Sequence, residues 1–268
     1  MSIEISITAL LYLIAAIALA VKTFKADNSP AYARSIMRFC GFIALVLHAY
    51  VLFKMVFIEN GINMGLLVSL SLVSWSVTLI VYLTSLYRPM QSLLIALFPL
   101  SAILVITSLF VNESRILNYQ LTTGLKIHIV LSISAYSILF IATLQALLLS
   151  YQERLLFAKK AIKIINILPP LQVMEHLLLQ FITVGFFLLS LSLASGLMFI
   201  NDMFAQHLVH KTFLSILAWV IYGVLLYGRW FAGWRGRHIT RWALGGFLVL
   251  LLAYIGTKFV LELILNRI

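Results

Sequence analysis

The sequence predicts an all-α fold: a polytopic transmembrane helical bundle of about eight helices, with both termini outside. Three observations predict it. Of the 268 residues, 63% are hydrophobic and 10% are charged, against about 45–50% and about 25% in soluble domains, and the mean hydropathy is +1.09. Eight apolar stretches each approach the roughly 20 residues needed to cross a bilayer. The basic residues divide unequally between alternate loops, as they do when Lys and Arg collect on the cytoplasmic side.

This composition excludes a soluble globular enzyme and a disordered chain. Eight spans would take roughly 160–180 residues, which leaves no room for a large soluble domain, so the chain reads as one integral membrane domain. The net charge of +11 is read against lipid headgroups, and nucleic acid is not an expected partner. Cys40 is the single cysteine and cannot form an internal disulfide.

The apolar stretches fall at 5–23, 37–57, 65–87, 90–111, 125–150, 177–200, 213–230 and 242–265. The first has no basic leader and no small-residue cleavage site, and reads as a retained helix rather than a signal peptide. The third carries Ser69, Ser71, Ser74, Ser76, Thr78, Thr84 and Ser85. These read either as interhelical packing by small polar residues or as a polar cavity lining. The fourth contains Pro99, which removes a backbone donor. Between the fifth and sixth, Leu155, Leu156, Ile162 and Ile165 alternate with Lys159, Lys160 and Lys163 at helical spacing. That pattern predicts a basic amphipathic extension near anionic headgroups, stopped by Pro169-Pro170. No inverted repeat or pair of broken helices points to a secondary transporter.

Of the 19 Lys and Arg, thirteen fall on one side: Lys22, Lys25, Arg34, Arg38, Arg88, Arg154, Lys159, Lys160, Lys163, Arg229, Arg235, Arg237 and Arg241. The other six are Lys54, Arg115, Lys126, Lys211, Lys258 and Arg267. The richer side is expected to be cytoplasmic.

An ionisable side chain within a span is costly and marks a functional candidate. His48 lies inside the second stretch and His128 about one turn into the fifth, both in the outer half on this orientation. Two imidazoles at similar depth suit one metal centre, and neutral imidazole ligates haem iron. The alternative is a structural histidine bonded to a neighbouring helix. Ser132 and Tyr136 follow His128 at i+4 and i+8 on one helix face. They read as groups that orient the imidazole or line its pocket, or as packing contacts. His207 and His210 border an outer loop, and His176 and His238 lie at the basic interface. Metalloprotease, CxxC, phosphate-loop and nucleophile-elbow motifs are missing, so neither a hydrolase nor a nucleotide-driven pump is expected, and the chain reads as a non-enzyme.

The run Ile167-Leu168-Pro169-Pro170-Leu171-Gln172-Val173-Met174-Glu175 is followed by Gly185-Phe186 and Ser195-Gly196. Then come His210-Lys211-Thr212 with Trp219, Gly233-Trp234-Arg235-Gly236-Arg237, Gly246-Phe247 and Ala253-Tyr254-Ile255-Gly256. Together with His128, Ser132, Ala135 and Tyr136, this ordered set resembles the cytochrome c assembly protein family of membrane haem-handling proteins. The resemblance covers roughly 65–265. It is nearest to a small eight-helix branch of the family, which the first two spans, including His48 after a leucine, also resemble.

The resemblance implies a multi-pass protein of the bacterial inner membrane that binds or moves haem near the outer face, with His128 as an external haem ligand. Members that attach haem to apocytochrome also carry a Trp-rich outer segment ending in Trp-Asp. None of Trp75, Trp219, Trp230, Trp234 and Trp242 makes that segment. Where those members have a seventh-span histidine this chain has Tyr227, and no histidine follows His238. The resemblance therefore implies haem handling or delivery without covalent attachment. The second functional reading is a cofactor-free scaffold or regulator of a partner membrane protein. The glycines of Gly233-Trp234-Arg235-Gly236-Arg237 read as a tight turn whose arginines meet headgroup phosphates, or as a docking site for such a partner.

Overall fold

The computed structural model describes residues 2–24, 32–58, 61–110, 116–117, 122–158, 168–199 and 209–256. Among these residues the chain folds into α1 (Ser2–Phe24), α2 (Ala33–Val56), α3 (Leu66–Ser85), α4 (Gln91–Thr107), α5 (Thr123–Phe157), α6 (Leu171–Phe199), α7 (Val209–Phe231) and α8 (Arg237–Leu251). The last helix continues as a π-helical turn, Leu252–Gly256. Six of the eight are long and apolar enough to cross a membrane; α4, with 17 residues, is apolar but shorter. The protein is an all-α transmembrane fold. It divides into two compact units, 1–120 and 121–268.

In the N-terminal unit α1 packs on α2 and α4, and α3 packs on α2 and α4. Unlike in a soluble bundle, the outer face is apolar as well as the core. Ile3, Ile7, Leu10, Ile14 and Ile17 form an exposed apolar stripe along α1, while Thr8 and Tyr12 are buried. An apolar outer face of this extent calls for lipid as solvent. The hydroxyls of α3 act as ties. Ser74 and Thr78 each meet Ser101 of α4, at 2.8 and 2.7 Å, and Ser76 and Thr84 bond back to carbonyls of their own helix. This is the packing role of small polar residues. Three short strands, β1 (Phe57–Ile58), β2 (Gly61–Asn63) and β3 (Ile116–Leu117), pair antiparallel in that order. The sequence does not announce them, because two- and three-residue strands have no measurable period.

In the C-terminal unit α5 has 35 residues and so extends about 52 Å at 1.5 Å per residue, well beyond the roughly 30 Å hydrocarbon core. Its final turns, from Ser150 on, realise the start of the expected extension; residues 159–167 lie outside the described residues. Ala135, Leu139, Ala142, Ala146 and Leu149 of α5 share one core with Leu178, Ile182 and Leu189 of α6, Tyr222 and Leu225 of α7, and Ala243 and Leu250 of α8. At Gly185 an added Cβ would fall 2.5 Å from Leu139 Cδ2, so α5 and α6 approach as only a glycine allows. Gln145 and Gln152 reach across this apolar contact to the Met174 and Pro169 carbonyls.

The residues that the proline pair was expected to stop, 159–167, lie outside the described residues, and the pair has a second role. Pro169-Pro170 starts α6, since the Pro170 carbonyl accepts from the Val173 and Met174 amides. Proline suits a helix start, where its missing N–H would have had no partner. The sixth helix thus begins at Leu171, not near 177 as hydropathy suggests; Glu175 and His176 hide its first turns. The two glycines of the Gly233-to-Arg237 segment form the expected turn. Gly233 and Gly236 sit at φ +67° and +53°, in the left-handed region that favours glycine. The turn folds back so that Trp234 covers Gly228, where a Cβ would lie 2.4 Å from the indole. Arg229 fixes it by donating to the Trp234 carbonyl at 2.9 Å.

Candidate functional site

His128 sits in the second turn of α5, and α6 determines which way its ring points. Its Nδ1 lies 2.9 Å from the Ser192 carbonyl oxygen and 3.2 Å from Ser195 Oγ. A carbonyl only accepts, so Nδ1 carries the proton and donates. In the neutral ring, Nε2 then holds the lone pair. Ser132 Oγ stands 3.4 Å from Nε2, but its hydroxyl has a better acceptor in the His128 carbonyl at 2.7 Å. It also meets Ser192 Oγ at 2.8 Å. Beneath the ring lies Gly196, where a Cβ would come within 3.0 Å of His128 Cε1. The result is a half-buried imidazole held by a backbone carbonyl through one nitrogen, its other nitrogen available as a ligand. Metal-binding histidines are oriented in this way.

Two turns deeper on the same face, the Tyr136 hydroxyl is buried. Ser215 of α7 is the polar side chain beside it. The Tyr136 ring packs on Tyr254 of the π-turn, centroids 5.3 Å apart. The ammonium of Lys211, in the first turn of α7, stands 5.5 Å above the Tyr254 ring and within electrostatic reach of His128. His128, Ser132 and Tyr136 therefore share one face, as their spacing predicts. The structure adds Ser192, Ser195 and Gly196 from α6, Lys211 and Ser215 from α7, and Tyr254. Sequence reasoning over the residues missed the serines because serine is commonplace in spans. Lys211 and Tyr254 stood in the matching motifs without a role.

His48 is placed quite differently. It is fully buried in the N-terminal unit, its Nδ1 3.1 Å from Tyr12 Oη and its Nε2 3.0 Å from Ser71 Oγ. Both ring nitrogens are engaged, and the side chain ties α2 to α1 and α3. His128 belongs to the other unit. Of the remaining histidines, His176 is exposed beside Gln180 and His238 is exposed near Trp234. The backbone of His210 lies in the first turn of α7, and His207 is outside the described residues. Tyr227 is 63% exposed and stacks on Phe231.

No group of three or more His, Cys, Asp or Glu gathers among the described residues. A bare cation needs three or four protein donors, whereas iron already held by a porphyrin needs one or two axial ones. The donor chemistry around His128, a single imidazole with one nitrogen held by a carbonyl, fits the second case. At the opposite end of the same unit, Arg154, Arg237 and Arg241 line a crevice of about 240 Å³ with Ser150, Glu153, Thr240 and Leu244. That crevice lies away from the imidazole.

Comparison with known proteins gives these features a family. A family model described as "Cytochrome C assembly protein" matches residues 36–265. The "Inner membrane protein YpjD" of Escherichia coli (strain K12) is 33% identical over 224 residues, covering 83% of this chain and 85% of its own length. A "Cytochrome c biogenesis protein CcsA" of Prochlorococcus marinus (strain SARG) is 27% identical over 222 residues, covering 71% of this chain and 70% of its own length. No solved structure matches. With the family model spanning most of the sequence and the Escherichia coli relative 33% identical over 83% of it, the chain belongs to the cytochrome c assembly protein family.

Proposed function

We propose that this protein binds haem through His128 near the outer face of the bacterial inner membrane and handles or delivers it there. One observation carries the reading: the Nδ1–H of His128 is committed to the Ser192 carbonyl, which leaves Nε2 as the ligating nitrogen. The names of the relatives supply the context, one an inner membrane protein and another a cytochrome c biogenesis protein. When bound, the haem would supply an iron that His128 would hold through Nε2. The chain's own residues do the rest. Ser192 and Ser195 fix the tautomer and orientation of His128, Ser132 sits against its Nε2 edge, and the Tyr136–Tyr254 pair provides an aromatic wall. The protein performs no covalent chemistry of its own on this reading.

His48 is assigned a structural role, since iron ligation would require breaking one of its two buried hydrogen bonds. The arginine-rich end of the C-terminal unit is placed in the cytoplasm, which puts His128 and both termini on the other side. The test is an absorption spectrum of the detergent-purified protein with and without added haemin, before and after reduction. The expected result is a Soret band that is lost in His128→Ala and retained in His48→Ala. A spectrum that stays that of free haemin in detergent after haemin addition supports a cofactor-free scaffold or regulator of a partner membrane protein instead.

A further inference from the structure

The end of the C-terminal unit opposite His128 carries a crevice that the imidazole site does not use. It encloses about 240 Å³ between the last turns of α5 and the first turns of α8, where Arg154, Arg237 and Arg241 meet Glu153 and Leu244. Glu153 is the one carboxylate in the lining, so three guanidiniums leave a surplus of positive charge. Among the described residues none of the three arginines has a carboxylate oxygen within 4.0 Å. Arg237 is held by a ring instead. Its guanidinium carbon lies 5.0 Å from the centroid of Phe157, a contact that orients the cation without neutralising it. Gly236, the residue before α8, supplies no capping oxygen to the first amides of that helix, and the helix dipole adds to the same positive field. Guanidinium forks match phosphate oxygens in pairs, so the crevice suits a phosphate.

Its position indicates which kind of phosphate. Along α5, Arg154 lies about 39 Å beyond His128 at 1.5 Å per residue, close to the roughly 40–45 Å that a bilayer spans with its headgroups. Away from the charges the surface turns apolar in register. Arg237, Arg241, Leu244 and Leu248 follow one another at helical spacing on one face of α8, and Arg154, Ser150 and Leu147 run in the same sense on α5. Leu147 and Leu248 are exposed. Each stripe thus passes from guanidinium to an outward leucine, as a phospholipid passes from headgroup to acyl chain. Inorganic phosphate has no counterpart to that apolar continuation. We propose that the crevice binds an anionic phospholipid, with Arg154, Arg237 and Arg241 on the headgroup phosphate and Leu244 and Leu248 along an acyl chain. This is a single built site, separate from the general attraction of basic loops to headgroups, and it stands independently of haem.

The experiment titrates the whole chain, delipidated in a neutral detergent, with dioctanoyl phosphatidylglycerol and dioctanoyl phosphatidylcholine, and counts bound lipid by native mass spectrometry. Inorganic phosphate is added as a competitor. Wild type is expected to hold one phosphatidylglycerol about ten-fold or more tightly than phosphatidylcholine, and an equal concentration of phosphate should not displace it. Arg241→Gln should weaken phosphatidylglycerol roughly five-fold, and Arg237→Gln with Arg241→Gln should bring it to the level of phosphatidylcholine. Arg235→Gln, in the adjoining turn but outside the lining, should bind as wild type does. Equal binding of the two lipids by wild type, or equal losses in Arg235→Gln and Arg241→Gln, overturns the proposal in favour of diffuse headgroup attraction. Displacement by inorganic phosphate assigns the crevice to a soluble phosphate and overturns it too. The wild-type comparisons decide the matter even if a variant fails to fold.

Discussion

At the scale of single residues, the two membrane histidines differ in how their neighbours engage the ring nitrogens. His48 spends both nitrogens on Tyr12 and Ser71, and His128 spends one on a carbonyl. Replacing His48 with Phe strands two buried hydroxyls, at about 1–3 kcal/mol each. The expected outcome is a clear drop in the thermal midpoint in detergent with the haem spectrum intact; loss of the spectrum would make His48 a ligand. Gly196 gives a second residue-scale prediction. A Cβ there comes within 3.0 Å of the imidazole, so Gly196→Val should displace the ring and weaken haem binding by roughly ten-fold or more, as expected when a supporting contact of a ligand is disturbed. Haemin titration of that variant checks it. Hydropathy and depth bring both histidines forward as candidates. They do not separate the two, because the deciding partners are sequence-distant: Ser192 is 64 residues from His128.

At the scale of elements, the apolar runs locate the helices to within a few residues, because a bilayer-length run of hydrophobic residues has few alternatives to a helix. The exceptions have identifiable causes. α6 starts earlier than its hydropathy because Glu175 is offset by Arg229, which lets a charged residue sit in the first turns. The Gly233–Gly236 turn is legible from its glycines, but the insertion of Trp234 over Gly228 is not, since that contact depends on the path of the returning chain. It yields a paired prediction. Gly228→Ala places a methyl 2.4 Å from a rigid indole and should destabilise by about 1–3 kcal/mol, the usual range for overpacking. Gly245→Ala, with nothing within 4 Å of its new methyl, should be neutral or slightly stabilising within α8. Thermal melts of the two variants side by side test the packing of this turn.

At the scale of the whole molecule, the C-terminal unit is chemically polarised. One end presents His128, Lys211 and their hydroxyl neighbours; the other presents Arg154, Arg229, Arg235, Arg237 and Arg241, joined by Glu153 and Glu175. Loop charge alone predicts which end is cytoplasmic. A cysteine placed at the exposed Arg235, with Cys40 changed to serine, should react with a membrane-impermeant thiol reagent only after cells are opened. Labelling in intact cells would invert the topology and put His128 on the cytoplasmic side. The helices and the family are therefore readable from composition and motif order, and the imidazole from its improbable location. What required three-dimensional structure was the distribution of hydrogen bonds, which separates a tied histidine from an available one.

The most direct measurement is the reduced-minus-oxidised absorption spectrum of the purified protein loaded with haemin, recorded for wild type and His128→Ala. Imidazole ligation through Nε2 requires a Soret and α-band pattern of axially ligated haem in the wild type that disappears in the variant. The same pattern in both proteins, or none in either, would contradict it.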